Sequence, residues 1–403
     1  MGKVGTEATL LRIEKAVDVL VREQTNTFEN FSDIKEIVQL GIADKVFRIG
    51  DQILTKWNDG TNEYDLPWDI VDIAPVVNAH GDTVPGLWLQ AHWPLPGIQF
   101  DASEAIYYTD EGLPAGTYHF SFGESWGSNV VKDKVYEFTT TQAIPAGGQI
   151  VIGTASSIYT WGAPDVAPAN WRVYTFSGFS SVTPIETLTL SEGSGGTDLG
   201  TMTSSILYGS SGINNLQRCG YGYNRWSQSA VRQWLNSAAA VGAWQTAQNV
   251  YDRPCQQLAS MRGFMAGLPD DFVAVIDPVQ VTTALNTKSD TQIGTSENTL
   301  DRFFLASLEQ EYCVPQLADV EGKYWPYWKE RLGLESPQVS GASNANPAHI
   351  RYSISNHSTA QIARLRSASR GAAHYTWYVT SSGYVNSLTA TNANALAPAC
   401  VIC

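Results

Sequence analysis

The 403-residue sequence predicts an α+β protein, with an N-terminal helix, a β-rich middle region and a C-terminal region of mixed helices and strands. Three observations lead to this class. Apolar residues follow a helical period near the N-terminus and a strand period from Lys45 onward. Short aromatic and β-branched runs alternate with Gly/Pro turns through the middle of the chain. The composition, 43% hydrophobic and 11% aromatic, allows a large buried core.

The first element is an amphipathic helix predicted over residues 6–24. Its apolar side chains recur at the a/d spacing of a coiled coil, at Leu10, Ile13, Val17 and Leu20. The seam is short, so it fits both a coiled coil and a helix packed on its own domain. A second helix is predicted from Ser32, as its N-cap, to Leu40, just before Gly41. We assign residues 1–42 to an N-terminal segment for attachment or oligomerisation.

The strand-like segments that follow predict two β-rich units. We expect a small β-rich region over residues 43–95 and a β-sandwich or barrel over residues 96–190. The Gly/Ser-rich stretch at residues 187–200 predicts a domain boundary. A C-terminal domain over residues 200–403 follows. Its predicted elements are a helix at 226–244, strands within 268–283, and a strand followed by a helix within 299–312.

Charge and cysteine content limit the partners and the compartment. The formal net charge of -14 disfavours binding to nucleic acid or to an anionic membrane. No window predicts a transmembrane helix, and the N-terminus lacks the apolar core of a secretory signal. The five cysteines are therefore expected to be reduced, buried thiols of a protein made in a cytoplasm. Cys400 and Cys403 have CxxC spacing, but no second pair completes a zinc site.

The candidate catalytic and metal-binding residues are weakly supported. His80 and His92 are not accompanied by a His-x-x-x-His motif or a carboxylate cluster, so we expect no metal there. Glu309 and Glu311 are expected on a solvated face, as is the Asp270-Asp271 pair. No nucleotide-binding or nucleophile-elbow motif is present in the sequence. We therefore expect a protein that is not an enzyme and that has no cofactor, although a calcium site built from carbonyls stays open.

The end of the chain has an unusual composition, because residues 371–403 contain no Lys, Arg, Asp or Glu. The stretch TWYVTSSGYVN predicts a β-hairpin with a turn at residues 381–383 and Gly383 at positive φ. Alternation places Trp377, Val379 and Val385 on an apolar face, and it places Tyr378, Thr380, Tyr384 and Asn386 on the opposite face. Tyr, Ser and Asn are favoured on recognition surfaces. One solvated face is also normal for an antiparallel sheet, so both interpretations stay open.

The line RLRSASRG…WYVTSSGYVN…APACVI resembles the terminal segment of C-type-lectin-fold proteins of phages and bacteria. These include the variable proteins of diversity-generating retroelements, of the major tropism determinant type. YGYNRWSQSAVRQWLNS, GFMAGLPDDF and DRFFLASLEQEY are similar to the related phage group and occur in the same order. The resemblance covers about residues 200–403 and implies a C-terminal C-type-lectin-like fold.

The resemblance also implies how the terminal segment is used, because a lectin-type core in this family holds a segment whose exposed positions vary. The implied ligand-binding residues are His374, Tyr375, Tyr378, Thr380, Tyr384, Asn386, Ser387, Thr389, Asn392 and Asn394. The implied scaffold residues are Arg366, Trp377, Val379, Gly383, Val385 and Pro398.

The function that this implies is a phage virion surface protein, made in the host cytoplasm, that binds a host-cell receptor, either protein or glycan. Its other partners would be virion proteins and further copies in a homotrimer, as in related adhesins. One alternative is a structural head or tail component with no receptor role. Another is an oxidase of the formylglycine-generating type, which shares the fold. Cys400 and Cys403 lie in the expected final strand and do not match that catalytic arrangement.

Overall fold

The computed structural model describes residues 30–123, 125, 130–153, 172–179, 184–202 and 215–403. The helix predicted over residues 6–24, with its seam at Leu10, Ile13, Val17 and Leu20, lies outside the described residues. In the described part, helices α1 to α6 span Phe31–Gln39, Ala43–Val46, Asn215–Tyr221, Ala230–Leu235, Asp270–Val275 and Pro326–Leu332. Short 3-10 helices span Trp226–Gln228, Gln256–Ala259, Phe264–Gly267, Ala342–Asn344 and Pro347–His349.

The strands outnumber the helices, and the α+β class is confirmed. Strands β1 to β12 span Gln52–Asn58, Glu63–Ile73, Val76–Val77, Thr83–Val84, Leu87–Ala91, Leu95–Gln99, Tyr107–Thr109, Gly116–Phe122, Val135–Thr140, Gly148–Gly153, Arg172–Phe176 and Pro184–Thr189. Strands β13 to β24 span Ser191–Glu192, Thr197–Met202, Val279–Ala284, Ser296–Asp301, Phe303–Leu305, Arg351–Tyr352, Ala360–Gln361, Ala363–Ala368, Tyr375–Val379, Val385–Thr389, Ala393–Leu396 and Pro398–Ile402.

Helix α1 begins two residues earlier than predicted, counted from N-cap to N-cap. Its N-cap is Asn30, whose side chain accepts a hydrogen bond from the backbone N–H of Asp33, so Ser32 is not the cap. An Asn side chain satisfies a free N–H of the first turn as well as Ser does. Gly41 follows the helix at φ 73°, in the left-handed region where glycine is favoured.

Two five-stranded sheets form the main body of the protein. The first sheet has the strand order β1-β2-β5-β24-β17, and the second has the order β22-β21-β20-β23-β6. Strand β5 pairs antiparallel with β24, so the last strand of the chain is central and wholly buried. Trp68, Trp234, Phe303 and Val401 belong to one core that draws side chains from both ends of the chain.

This topology corrects the predicted boundary between residues 43–95 and residues 200–403. Strands β5 and β6 come from the N-terminal part, yet they pair with β24 and β23 of the C-terminal part. The strand period was visible in the sequence, but sequence spacing carries no information about which distant strands become neighbours. Residues 43–95 therefore do not form a separate β-rich region.

The middle of the chain contains two four-stranded sheets. The third sheet has the order β12-β11-β10-β7, and the fourth has the order β13-β9-β8-β14. Phe120 and Phe138 from the fourth sheet share a core with Ile150 and Leu188 from the third. Between the predicted alternatives, sandwich and barrel, the two separate sheets correspond to a sandwich.

The Gly/Ser-rich stretch at residues 187–200 is not a domain boundary. Strand β12 enters it, β13 lies within it, and β14 leaves it to pair in parallel with β8. Gly196 has φ 72° and lies against the backbone of Thr117, where a Cβ would be 1.8 Å from the Thr117 carbonyl oxygen. The glycines therefore permit close packing of strands in this stretch and do not form a linker.

Three element predictions in the C-terminal part were too long or of the wrong type. The predicted helix at 226–244 is a 3-10 turn followed by the short helix α4, whose N-cap is Ser229. Residues 268–283 contain helix α5 before strand β15, and residues 306–312 form turns where a helix was predicted. Short apolar runs do not distinguish a buried helix from a buried strand. Among the described residues, no helix is long and apolar enough to span a membrane.

Candidate functional site

The predicted terminal hairpin is confirmed. Strands β21 and β22 pair in register, with Tyr378 opposite Asn386 and Val379 opposite Val385. The three-residue turn ends at Gly383, which has φ 81°. A Cβ at this position would be 2.1 Å from the carbonyl oxygen of Asn346, so both the backbone angle and the available space require glycine.

One face of the hairpin is anchored in the main core, as predicted. Val385 is buried in that core, and Trp377 packs against it while half-buried. Val379 is also buried, opposite Val385. This apolar face fixes the register of the hairpin, because a slip of one residue would turn these side chains to the other face.

The opposite face is less exposed than predicted. Tyr378 is only 7% exposed, and it is hydrogen-bonded to the Asn386 side chain. Strand β20 places Arg364 beside Tyr378, and the loop at residues 389–392 folds back over the Arg364 guanidinium. The expectation that Tyr378 is exposed is therefore wrong, because Arg364 of the adjacent strand β20 and Asn386 of β22 flank it on that face.

The ten predicted ligand-binding residues divide into two groups. Five are buried: His374, Tyr378, Thr380, Thr389 and Asn394. The other five are accessible, with Asn386 exposed and the rest half-buried: Tyr375, Tyr384, Asn386, Ser387 and Asn392. We call these five residues the terminal surface. The buried group cannot contact a partner without rearrangement, so only the terminal surface is a candidate binding site.

The terminal surface lies around an edge strand, because β22 is the outermost strand of the second sheet. Asn386 is paired with Tyr378 on one face, while Ser387 is opposite Trp377 on the other. Both faces of an edge strand can be reached from solvent at its open side. The residues predicted to bind the ligand therefore lie on both faces of the sheet and not on one.

Scaffold side chains hold this terminal segment through its main-chain atoms. The guanidinium of Arg364 donates to the carbonyl oxygens of Leu388 (3.1 Å), Thr389 (3.1 Å) and Asn392 (2.8 Å), and also to the hydroxyl of Thr376. Arg364 is 1% exposed, so these bonds form away from water. A single buried side chain therefore fixes the path of the chain after β22.

Three further side chains make contacts of the same kind. The amide nitrogen of Asn224 donates to the carbonyl oxygens of Ala372 and Tyr375, each at 2.8 Å. Gln99 Nε2 donates to the carbonyl oxygen of Thr391 at 2.9 Å. Gln338 Nε2 donates to the carbonyl oxygen of Gly383 at 2.8 Å, at the hairpin turn. Every one of these bonds ends on a main-chain acceptor that all residue types possess.

Within the described part of the chain, the amide side chains of the terminal surface bond only to close neighbours. Asn386 Oδ1 accepts from the backbone N–H of Ser387 at 2.8 Å, and its side chain also meets Tyr378. Asn392 Nδ2 donates to the hydroxyl of Thr389 at 2.7 Å. These side chains therefore contribute little to holding the segment on the scaffold.

His374 is placed for packing and not for acid–base chemistry. It is buried, stacks on Tyr221 with ring centroids 5.1 Å apart, and its centroid lies 4.0 Å from that of Tyr375. Burial lowers the pKa of His374 to about 4, so the ring is neutral at pH 7. A neutral buried ring supports the adjacent Tyr375 without adding charge to the surface.

Sequence reasoning missed Arg364, Asn224, Gln99 and Gln338. Arg364 lies in the RLRSAS motif, where Arg366 was named as a scaffold residue, and the alternation of that strand was the available signal. Asn224 lies in YGYNRW, but no local pattern marks it as a bridge to residues 150 positions later. Such contacts follow from the topology and not from the residue's neighbours in sequence.

The predicted solvated face at Glu309 and Glu311 is wrong, because both side chains are buried. Glu311 accepts from Arg351 Nη2 at 3.2 Å and lies 3.1 Å from His349 Nε2. Glu309 accepts from the backbone N–H groups of Asp319 and Glu321. Both carboxylates can be buried because each has hydrogen-bond donors: the cationic side chain of Arg351 for Glu311 and backbone N–H groups for Glu309.

The remaining candidate chemistry has structural partners. His92 Nδ1 lies 2.8 Å from Asp69, which also accepts from the hydroxyl of Tyr327. The five thiols are free and buried, as predicted, and burial raises the pKa of the Cys400 and Cys403 thiols, which disfavours the reactive thiolate. Within the described ranges, no group of three or more His, Cys, Asp or Glu is arranged to hold a metal ion.

Comparison with known proteins gives one family match. Residues 202–403 match the family described as a domain of unknown function, DUF6273. No curated protein and no solved structure matches the chain. The matched range begins at the last residue of β14 and includes the terminal surface. It leaves out β5 and β6, which complete the two five-stranded sheets.

Proposed function

Since the chain belongs to the DUF6273 family, and its terminal segment lies in the family's matched range, we propose that it is a non-enzymatic recognition protein that binds a cell-surface receptor through the terminal surface. The observation that carries the proposal is the way the segment is held. Arg364, Asn224, Gln99 and Gln338 bond to main-chain carbonyls, while the accessible side chains bond only locally. Such a segment can present different side chains on an unchanged backbone.

The accessible side chains have suitable chemistry for recognition. Tyr375 and Tyr384 offer rigid contact area at low entropic cost, and Asn386 and Asn392 offer both a donor and an acceptor. No charged residue occurs in the sequence after Arg370. Binding at this surface would therefore depend on shape and hydrogen bonds, with a weak dependence on salt.

The finer part of the proposal concerns the fold and the biological setting. We propose a C-type-lectin-like fold for residues 200–403 and a location on a phage virion, with a host-cell receptor as partner and the terminal surface as the diversified region. Support comes from the ordered motifs of the sequence resemblance and from the anchored hairpin. A homotrimer held by the segment at residues 6–24 would raise weak single-site binding through several copies.

The test compares binding to intact cells with folding. The double variant Tyr384→Ala/Asn386→Ala removes two accessible side chains and leaves all main-chain anchors in place. Fluorescently labelled protein is applied to a panel of intact bacterial strains and to a glycan array. We expect at least about a tenfold loss of affinity on any strain or glycan that the unmodified protein binds, with no change in thermal unfolding.

Tyr324→Ala is the matched control, because Tyr324 is 40% exposed and lies outside the terminal segment. Its binding should equal that of the unmodified protein. Undiminished binding by the double variant would place the receptor site elsewhere. Failure of the unmodified protein to bind any strain or glycan would count against the receptor role itself.

A structural head or tail component is the second candidate. The burial of five predicted ligand residues favours it, since side chains such as Tyr378 and His374 then serve the fold alone. In that case the double variant would impair particle assembly while attachment of assembled particles stayed unchanged. Electron microscopy of particles carrying the double variant distinguishes the two candidates.

A further inference from the structure

A second concave site lies away from the terminal surface and shares no residue with it. It is a cavity of about 320 Å³ between strand β15, the loop at residues 319–323, and the aromatic side chains of Trp88 and Phe304. This volume is at the lower end of the range for small-molecule sites. The cavity can therefore hold one small ring but not an extended chain.

One wall of the cavity is aromatic and fixed. Phe304 is fully buried, and Trp88 is half-buried, with the two rings edge to face at 6.1 Å between centroids. The indole N–H of Trp88 donates to the carbonyl oxygen of Ala74 at 3.0 Å. This bond fixes the orientation of the ring, so Trp88 presents a preformed flat surface.

The cavity lining also includes Arg366, which is 1% exposed and whose guanidinium lies 5.8 Å from the centroid of the Phe304 ring. Its guanidinium donates to the carbonyl oxygens of Leu305 (2.7 Å) and Glu321 (2.5 Å) and to the side chain of Gln310. Its Nε is buried and has no hydrogen-bond partner among the described residues. The guanidinium is thus held in place by the protein.

The loop at the mouth of the cavity is also held in place. The Glu309 carboxylate accepts from the backbone N–H groups of Asp319 (2.5 Å) and Glu321 (2.7 Å). Asp319 has φ 61° and Gly322 has φ 119°, so the loop turns sharply at both residues. Gly322 comes close to the Gln310 side chain, 3.2 Å from the position that a Cβ would occupy. A rigid loop around a cavity is preorganised for binding.

The charges that line the cavity cancel. Asp319 and Glu321 are acidic, whereas Lys323 and Arg366 are basic. Glu321 and Arg366 are buried and bonded within the protein, so the charged side chains open to a ligand are Asp319 and Lys323, one of each sign. A neutral ligand with hydroxyl groups can accept from Lys323 and donate to Asp319 without meeting a like charge.

From the aromatic wall, the balanced charges and the small volume, we infer that this cavity binds a single neutral sugar ring. The C–H face of a pyranose lies against Trp88, and its hydroxyl groups bond to Asp319, Lys323 and the polar side chains of β15. The inference does not rest on the proposed receptor function, since it concerns different residues.

The experiment uses saturation-transfer difference NMR on the full chain. The probes are methyl glucoside, methyl galactoside, methyl mannoside and N-acetylglucosamine, with methyl phosphate, tetramethylammonium and uracil as probes of other ligand classes. We expect saturation transfer to the ring C–H protons of at least one sugar. Lys323→Ala and Asp319→Asn should each weaken that binding by about tenfold, since the first removes a donor and the second replaces a charged acceptor by a neutral one.

The two variants change exposed side chains at the mouth, and Asn tolerates the positive φ of position 319. Lys329→Ala is the matched control, because Lys329 is an exposed lysine of helix α6 that does not line this cavity. It should bind the sugar as the unmodified protein does, and so should Asn386→Ala.

Three results would overturn the inference. They are no saturation transfer to any of the four sugars, sugar binding that the Lys323→Ala and Asp319→Asn variants leave unchanged, and preferential binding of methyl phosphate, tetramethylammonium or uracil in place of the sugars. If the Asn386→Ala variant no longer binds a sugar that the Lys323→Ala variant still binds, the sugar site would instead be the terminal surface.

Discussion

Arg364 is the residue on which the terminal segment most depends. It is a buried cation whose hydrogen bonds to Leu388, Thr389 and Asn392 all end on main-chain carbonyls. Burying a charge is unfavourable unless hydrogen bonds compensate for it. These three carbonyl oxygens and the hydroxyl of Thr376 provide that compensation. The same bonds hold the loop after β22 in place.

The first prediction contrasts Arg364→Met with Asn392→Ala. Met is of similar length but leaves the carbonyl oxygens of residues 388, 389 and 392 unsatisfied, so the free energy of unfolding should fall by at least about 3 kcal/mol. Asn392→Ala keeps the main-chain bond from Arg364 and removes one side-chain bond, so it should lower that free energy by no more than about 1 kcal/mol. Urea unfolding of both variants measures the difference. Equal losses would show that the segment is not held mainly through its backbone.

At the scale of elements, the loop at residues 338–350 braces the hairpin turn. Gln338 Nε2 donates to the carbonyl oxygen of Gly383, and Gln338 Oε1 lies 2.7 Å from His349 Nδ1. His349 in turn meets Glu311, which also pairs with Arg351. A line of buried polar contacts therefore links the interior of the body to the turn of the terminal hairpin. Networks of this kind are stabilising only when every member is satisfied.

The second prediction concerns Glu311→Gln. Burial alone would raise the pKa of Glu311, but the Arg351 charge and the bonds from His349 and Gln90 outweigh it and lower the pKa to about 2. A carboxyl group whose pKa is lowered by folding stabilises the fold when the pH is above the pKa of the unfolded state, which is near 4. This contribution is lost as the pH falls toward 2. Unmodified protein should therefore lose stability over this interval.

The Glu311→Gln variant should be less stable by about 3–5 kcal/mol at pH 7, because Arg351 loses its buried counter-charge. It should also show a shallower decline between pH 4 and pH 2. Chemical denaturation at several pH values measures both effects, with Glu330→Gln on the exposed face of α6 as the control. An unchanged acid profile in Glu311→Gln would refute the assignment.

At the scale of the whole molecule, buried carboxyl groups lie where the sandwich meets the main body. Gln149 of β10 donates to the carbonyl oxygens of Val250 and Asp252, at 2.7 and 2.9 Å. Glu104 forms an ion pair with Arg218 of α3 at 2.5 Å, in the same region. Burial, and then the charge of Glu104, raises the pKa of Asp252 to about 7. The junction is therefore most favourable when Asp252 is protonated.

The third prediction follows from this raised pKa. A carboxyl group whose pKa is raised by folding contributes its full stability when the pH is below the pKa of the unfolded state, which is near 4. This contribution is lost as the pH rises through the pKa of the folded state, which is about 7. Asp252→Asn should flatten this decline, while Asp110→Asn, at an exposed position, should not. Thermal unfolding from pH 4 to pH 8 gives the two slopes. Parallel slopes for Asp252→Asn and the unmodified protein would contradict the prediction.

Taken together, Glu311 and Asp252 predict that their joint contribution to stability is greatest near about pH 4. Below this pH Glu311 loses its paired charge, and above it the contribution of Asp252 declines until the pH reaches about 7. The two groups lie at different places in the fold, so their effects on unfolding should be close to additive.

The sequence by itself determined the local features of this protein. Alternation and turn chemistry placed the terminal hairpin, the turn at Gly383 and the buried faces of Val379 and Val385, because these depend on residues close together in the chain. The α+β class and the buried thiols followed from composition and period in the same way.

Tertiary structure alone decided which of the polar residues are accessible. Tyr378 and Thr380 are placed on the polar face by alternation, but both are buried, and Tyr378 lies between Arg364 of β20 and Asn386 of β22. Strands β5 and β6 joined the C-terminal part through pairings across about three hundred residues of chain. Sequence periodicity reports the direction of a side chain relative to its own strand, whereas burial depends on what packs above it, and that is set by contacts between distant segments.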